Sequence, residues 1–341
     1  MPHLFFATNR IPAAPVNGIA NFGDEPVADN AITFGAAQVD KIDLKSPSSG
    51  EIVAIDFRTE TEVIDALAVS DNDLLVFIHG TANAFPDAIK RAAYNQLWLS
   101  NFNIPNASSS FDVLAFTWPS NGYTIWDTLR NGGILGDYRH DQKNAKASAA
   151  ALCSFLGAID RLRAQPNRPK RRRVNLLCHS MGNWAFSFAV ERLYSGSGET
   201  PPAVPLFEEA ILAAADEVST TFGQPNGRLA NLWRLAREIT VYYANDDIAM
   251  DLSHTANGDW GLGYNGPANK ADLHQFSPNV YEFVNCTGVN DYINTLVDAP
   301  DRSHQYYRQS PIVRADIVTT LVGQRPKRKA YDTEKNVYTL F

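Results

Sequence analysis

A serine hydroxyl becomes a useful nucleophile only when a histidine can take its proton and a carboxylate can orient that histidine, so three side chains must meet at one place. The chain offers a strong place to look for the serine. In Val174-Asn175-Leu176-Leu177-Cys178-His179-Ser180-Met181-Gly182-Asn183-Trp184-Ala185-Phe186, a short apolar run of β type passes through one Ser into helix formers. That is the pattern of a nucleophile elbow, a strand-to-helix turn that strains its central residue and lifts the hydroxyl clear of the sheet. Cys178 and Gly182 stand two residues either side of Ser180, where small side chains let strand and helix approach each other. The first amides of the helix then face whatever the hydroxyl attacks, which makes the Met181 amide a candidate oxyanion donor. A Ser-x-Gly after a strand is equally a plain βα turn, so the partners have to decide.

In an open parallel sheet the partners meet at the carboxyl ends of strands, in the chain order Ser, acid, His. The β-like run from Ile239 to Ala244 ends in Asn245-Asp246-Asp247, which makes Asp246 the candidate acid, with Asp247 one residue further from the strand. Asp216, after the run from Glu209 to Ala215, is the main rival. His304 follows the last strand-like run, Val280 to Cys286, and precedes a closing helix, so it is the candidate base over His254 and His274. The apolar run Leu74 to Ile78 closes in His79-Gly80-Thr81, a position from which a loop can offer a second oxyanion amide, that of Thr81. Taken alone, His79 reads as well as a residue capping a strand end.

The positioning elements follow from periodicity. Residues 4–8, 32–40, 51–58, 74–78, 111–119, 174–179, 209–216, 239–244 and 280–286 read as strands, and 62–69, 86–102, 139–163, 181–194, 228–236 and 311–322 as helices. Positions 11–30 read as a surface loop. The alternation predicts an α/β chain with a mostly parallel, doubly wound sheet flanked by helices, folded as one domain over 1–341. Residues 1–45 are expected as an N-terminal extension packed on it, and 250–278, long and Gly/Asn-rich, as a lid or pocket wall. Aromatic residues of the two long connections, Tyr123, Trp126, Trp260 and Tyr264, together with His79 and Trp118, are candidates to line a substrate pocket.

Composition narrows the function classes. A net charge of −7 argues against a general nucleic-acid binder, which needs a basic face. Lys170-Arg171-Arg172-Arg173 abuts a core strand and reads as a solvated strand entrance. The 3 cysteines, Cys153, Cys178 and Cys286, are far apart in apolar sequence and read as reduced, buried thiols. The start lacks the basic and apolar regions of a secretory leader and no stretch reaches the apolar length of a membrane span, so a soluble cytoplasmic protein without stable membrane insertion is expected. No cofactor or metal is expected. Asp71-Asn72-Asp73 is too short for a calcium loop, and Gly261-Leu262-Gly263-Tyr264-Asn265-Gly266 matches a dinucleotide fingerprint by letters but follows no apolar strand.

Phe6-Ala7-Thr8-Asn9-Arg10, Val76-Phe77-Ile78-His79-Gly80, Phe116-Thr117-Trp118-Pro119-Ser120, His179-Ser180-Met181-Gly182-Asn183, Ile211-Leu212-Ala213-Ala214, Val241-Tyr242-Tyr243-Ala244-Asn245-Asp246 and Ser303-His304-Gln305-Tyr306-Tyr307 occur in that order. In these blocks the chain resembles, over nearly its whole length, the bacterial α/β-hydrolases of unknown function grouped as the DUF900 family of the esterase/lipase superfamily. The resemblance implies an α/β-hydrolase fold with Ser180 as nucleophile, Asp246 as acid and His304 as base. Cys178 departs from the Ala or Gly usual there, and Thr81 from the larger residue that often follows the His-Gly pair. The expected activity is a serine carboxylic-ester hydrolase acting on small to medium uncharged esters. Thioesterase, lactonase and amidase chemistry use the same machinery, and a non-catalytic binding module is the alternative from another class.

Overall fold

Leu74, Leu75, Val76, Phe77 and Ile78 are apolar without alternation, so the strand they form needs cover on both faces. In the computed structural model, which describes residues 3–28, 30–102, 104, 110–122, 134–169, 172–223, 225–259, 261–295 and 299–340, it receives that cover at the middle of a large sheet. The elements in chain order are β1 (His3–Thr8), β2 (Arg10–Val16), β3 (Ile19–Pro26), β4 (Thr33–Asp40), β5 (Glu51–Arg58), α1 (Glu60–Ala68), β6 (Asp73–Ile78), α2 (Phe85–Ser100) and β7 (Phe111–Thr117). There follow α3 (Ile134–Ala147), α4 (Ala149–Arg163), β8 (Val174–His179), α5 (Met181–Tyr194), β9 (Phe207–Ala213), β10 (Ala236–Tyr243), α6 (Ile248–Asn257) and α7 (Leu262–Asn265). The chain closes with β11 (Tyr281–Asn285), α8 (Ala299–His304), α9 (Tyr306–Gln309), α10 (Pro311–Leu321), β12 (Ala330–Asp332) and β13 (Val337–Thr339).

The 11-stranded sheet runs β12-β13-β11-β10-β9-β8-β6-β7-β1-β4-β5. From β13 through β1 the strands are parallel, and β12 at one edge and β4 and β5 at the other are antiparallel. Side chains alternate between two cores. Val76, Ile78, Leu176 and Cys178 join Leu152, Phe155 and Ile159 of α4 and Phe186 of α5 on one face, whereas Leu75, Phe77 and Leu177 join Ile89 and Trp98 of α2 and Ile317 of α10 on the other. Burying each such side chain is worth roughly 1.5–3 kcal/mol, which sets the strand register firmly because a one-residue slip would exchange the two faces.

Several expectations are corrected. Most of positions 11–30, expected as loop, falls in the β2–β3 hairpin, because Asn17 (φ 52°) and Gly18 (φ 79°) take the two left-handed conformations that a tight hairpin turn requires. The helix expected over 228–236 shrinks to a 3₁₀ turn, Leu232–Arg234, since β10 takes Ala236 into pairing with Phe207 and Arg228 is held sideways by Glu217. The long connection 250–278 contains α6 and α7. Gly263 packs where a Cβ would lie 2.5 Å from the Ala215 amide nitrogen, so this glycine serves close backbone packing. Nor is the basic stretch solvated throughout. Arg172 is buried, donating to the Leu67 carbonyl and pairing with Asp112 at 3.0 Å, so its aliphatic stem and charge both staple β8 to α1 and β7.

One buried carboxyl lies near the amino end of β9, away from the carboxyl ends of the strands. Glu209 on β9 accepts from Thr240 at 2.8 Å, and burial pushes its pKa up to about 8. The folded chain therefore holds a proton that the unfolded chain releases above the ordinary value of 4.5, and stability falls as pH rises from that value towards 8. Glu209→Gln removes this dependence. Urea unfolding is expected to show the variant gaining up to about 3 kcal/mol on the parent between about pH 5.5 and pH 8, as each unit is worth about 1.4 kcal/mol. A pH-independent difference would contradict it.

Candidate functional site

The tip of β8 sets the site. Ser180 has φ 53° and ψ −129°, a strained conformation for a residue with a Cβ, and it persists because its backbone is held on both sides. Its amide donates to the Ala213 carbonyl of β9 (3.0 Å), while its carbonyl accepts from the amides of Asn183 (2.9 Å) and Asp216 (3.2 Å) and from Asn183 Nδ2 (3.1 Å). Gly182 is required by contact: a Cβ there would lie 2.5 Å from the His79 carbonyl oxygen and 2.6 Å from that of Ile78. Gly80 is required likewise, with its Cβ position 2.7 Å from Ser180 Cβ. Cys178, in contrast, is accommodated as a fully buried core residue, so the departure at this position costs the turn nothing visible.

The register brings the other strand ends alongside. His179 pairs with Ala213, Ala213 with Tyr242, and Tyr243 with Asn285, so the segments leaving β8, β10 and β11 gather on one rim. His304 Nε2 lies 2.8 Å from Ser180 Oγ, and His304 Nδ1 lies 2.8 Å from Asp247 Oδ2. The carboxylate is that of Asp247, not of Asp246, which corrects the expected acid. Asp247 is fully buried and caps α6, its Oδ1 accepting from the Ala249 amide at 3.1 Å. Asp246 is exposed and accepts from the Gly288 amide at 2.9 Å, turned away from His304. The other rival acid, Asp216, is engaged elsewhere: Tyr138 Oη (2.7 Å) and Ser253 Oγ (2.5 Å) donate to it, and burial raises its pKa in spite of both. His274 is exposed in the turn before β11.

With Nδ1–H donating to Asp247, Nε2 of His304 presents its lone pair to the serine hydroxyl, the tautomer needed to take the proton. Three neighbours hold that imidazole in place. His179 Nε2 donates to the His304 carbonyl (3.1 Å), with the ring centroids 4.8 Å apart; Ser303 Oγ accepts from the Ile248 amide (3.2 Å); and the Tyr306 hydroxyl donates to the Tyr242 carbonyl (2.8 Å) while accepting from the Ala214 amide (3.0 Å). Tyr307 also packs on His179, ring centroids 4.6 Å apart. His179 and Tyr306 thus brace the site, a role for which the sequence held no signal beyond their adjacency to Ser180 and His304. Burial holds His79 and His179 well below the ordinary histidine pKa, so both stay neutral.

Among the expected pocket residues, His79 and Trp118 are buried and stacked, ring centroids 5.2 Å apart, with Trp118 Nε1 donating to the His79 carbonyl (2.7 Å). This hydrogen bond and the ring contact tie the end of β6 to the end of β7. Tyr264 is half-buried on α7, and Tyr123, Trp126 and Trp260 lie outside the described residues. Among the described residues no group of His, Cys, Asp and Glu is arranged to hold a metal ion, and no helix is long and apolar enough to cross a membrane.

A profile of the family described as "Alpha/beta hydrolase of unknown function (DUF900)" matches residues 55–325. Among solved structures, the chain is similar to esterase B from Lactobacillus rhamnosis, at 12% identity and a TM-score of 0.38 over 73% of this chain and 75% of that one. It is similar to an acylaminoacyl peptidase from Pyrococcus horikoshii at 11% identity and a TM-score of 0.39, covering 96% of this chain and 44% of that one. A third similarity, to the lin2722 gene product of Listeria innocua, has 14% identity and a TM-score of 0.35 over 80% of this chain and 99% of that one. No curated protein matches. The order of strands around β8 and the match over most of the chain agree: the protein belongs to the DUF900 family of α/β hydrolases.

Proposed function

We propose that the protein is a serine carboxylic-ester hydrolase in which Ser180 is the nucleophile, His304 the general base and Asp247 the acid. The observation that carries this reading is the unbroken chain of two 2.8 Å hydrogen bonds from Ser180 Oγ through His304 to Asp247. As Oγ bonds to the ester carbonyl carbon, its proton passes to His304 Nε2, and the imidazolium that forms is stabilised by Asp247. The carbonyl oxygen, now an oxyanion, takes hydrogen bonds from the amides of Met181, first in α5, and Thr81, each worth on the order of a few kcal/mol. His304 returns the proton to the departing alkoxide. Water then attacks the acyl-enzyme by the same route, His304 removing its proton and Ser180 regaining one, so that acid and alcohol are the only products. An uncharged ester of small to medium size is the substrate class we assign, and thioester, lactone and amide substrates are open to the same machinery.

Ser180→Ala is expected to lower hydrolysis of p-nitrophenyl butyrate by about 10³-fold or more with its melting transition unchanged, and to lose labelling by a fluorophosphonate probe. Parental turnover in this variant would refute the assignment, whereas failure of the parent protein to label would favour a binding module.

The two adjacent carboxylates separate cleanly. Asp247→Asn is expected to lower kcat by about 10³- to 10⁴-fold, because an amide at that place no longer holds the imidazole in its working tautomer. Asp246→Asn is expected to stay within about three-fold of the parent. The opposite ranking in steady-state kinetics would return the role to Asp246.

A further inference from the structure

We propose that Asp141, on the helix α3, is a positioning residue that fixes the oxyanion loop against Ser180. This rests on the serine-hydrolase reading above and adds to it a group distant from the reacting atoms. Asp141 is fully buried, and apart from the His140 ring beside it on α3, whose Nδ1 lies 3.7 Å from its Oδ1, the groups it holds belong to two loops. Its Oδ2 accepts from Thr81 Oγ1 at 2.6 Å, from Ser120 Oγ at 2.6 Å and from the Ala82 amide at 3.4 Å, and its Oδ1 accepts from the Asn121 amide at 3.0 Å. One carboxylate therefore ties the loop after β6 to the loop after β7.

The need for such a tie comes from the backbone. Ala82 has φ 58°, a left-handed conformation that an L-residue avoids and that must be imposed by its surroundings. The loop also has little slack, since Gly80 already touches Ser180 and the Thr81 amide comes one residue later. A small shift of Thr81 thus moves an oxyanion donor, and such donors act only where they are already aimed. The buried guanidinium of Arg10 completes the brace from the other side, donating to the Asn83 carbonyl (2.7 Å) and the Ser120 carbonyl (3.0 Å), while Asn83 Nδ2 donates to the Gly80 (3.0 Å) and Thr81 (2.6 Å) carbonyls. Charge at Asp141 is what lets a single group accept four hydrogen bonds; an isosteric amide must turn a donor towards at least one of them.

The test is a mutant cycle on p-nitrophenyl butyrate, with an alkyl trifluoromethyl ketone as the probe of oxyanion binding. Asp141→Asn is expected to lower kcat about ten- to a hundred-fold with KM within about three-fold, and to weaken the trifluoromethyl ketone by a similar factor. Thr81→Val, which removes a single hydroxyl, is expected to reproduce most of that loss, Thr81→Ser, which keeps the hydroxyl, to exceed Thr81→Val in kcat by about ten-fold, and the double variant Asp141→Asn/Thr81→Val to fall no further than the larger single loss. If Asp141→Asn does not fold, Thr81→Val and Thr81→Ser carry the comparison. Parental kcat in Thr81→Val, additive losses in the double variant, or a rise in KM at constant kcat would overturn the proposal. Parental turnover in Ser180→Ala would instead overturn the hydrolase reading beneath it.

Discussion

The left-handed backbone of Ser180, wedged between β6 and β9, is the constraint on which the rest of the site depends. It is sterically unfavourable by about 1–3 kcal/mol, and it is maintained because the carbonyls of Ile78 and His79 leave no room for a side chain at position 182, while β9 supplies the acceptor for the Ser180 amide. The central place of β8 in an 11-stranded sheet makes such over-determination possible. A strand buried on both faces and paired on both sides cannot shift to relieve one bad φ angle. The strain is thereby converted into position, with the hydroxyl set beyond the sheet and the first turn of α5 directly behind it.

Around that fixed point, the remaining strand ends deliver groups by register. Because β8, β9, β10 and β11 are neighbours and parallel, the residues after them emerge on one rim whatever the length of the connections below. Connection length matters only for what it carries. The helix α6, for example, begins a short turn after β10, and its N-terminus holds the Asp247 carboxylate by the amide of Ala249, leaving the second oxygen for His304. The helix end and the imidazole thus share one carboxylate, which orients the acid without any further side chain.

The sheet, the strained turn at Ser180 and the histidine that meets it were legible in the sequence because each is written in local pattern: apolar runs of strand length, a Ser between small residues, a His between the last strand and the last helix. What was not legible depended on facts that appear only after folding. Asp246 and Asp247 are adjacent and chemically identical, and the choice between them is made by which one caps a helix. With 250–278 read as loop, there was no helix to cap, although Asp247 followed by Ile248-Ala249-Met250 is an N-cap pattern. The β2–β3 hairpin was hidden in the same way. Asn17-Gly18 is a strong turn signal, but the prolines and polar residues beside it mask the strands, which are mostly exposed. Trp118 and His79 were named from residue type and position, whereas their stacking and the hydrogen bond from Trp118 Nε1 to the His79 carbonyl are contacts between strands that no local pattern encodes.

Three imidazoles crowd this rim, and only one of them is equipped to carry a charge. His79 stacks on Trp118 and His179 packs on His304 and Tyr307, neither with a carboxylate partner among the described residues and both kept neutral by burial. His304 alone has Asp247. In the proposed reaction a proton leaving Ser180 therefore finds a single place where the positive charge is compensated, and the neutral neighbours add no repulsion to oppose it. Neutrality also suits the duty of His179, whose Nε2–H must donate to the His304 carbonyl and whose charge would disfavour an imidazolium 4.8 Å away. The apolar burial that removes two histidines from acid–base chemistry is thus part of what reserves that chemistry for the third.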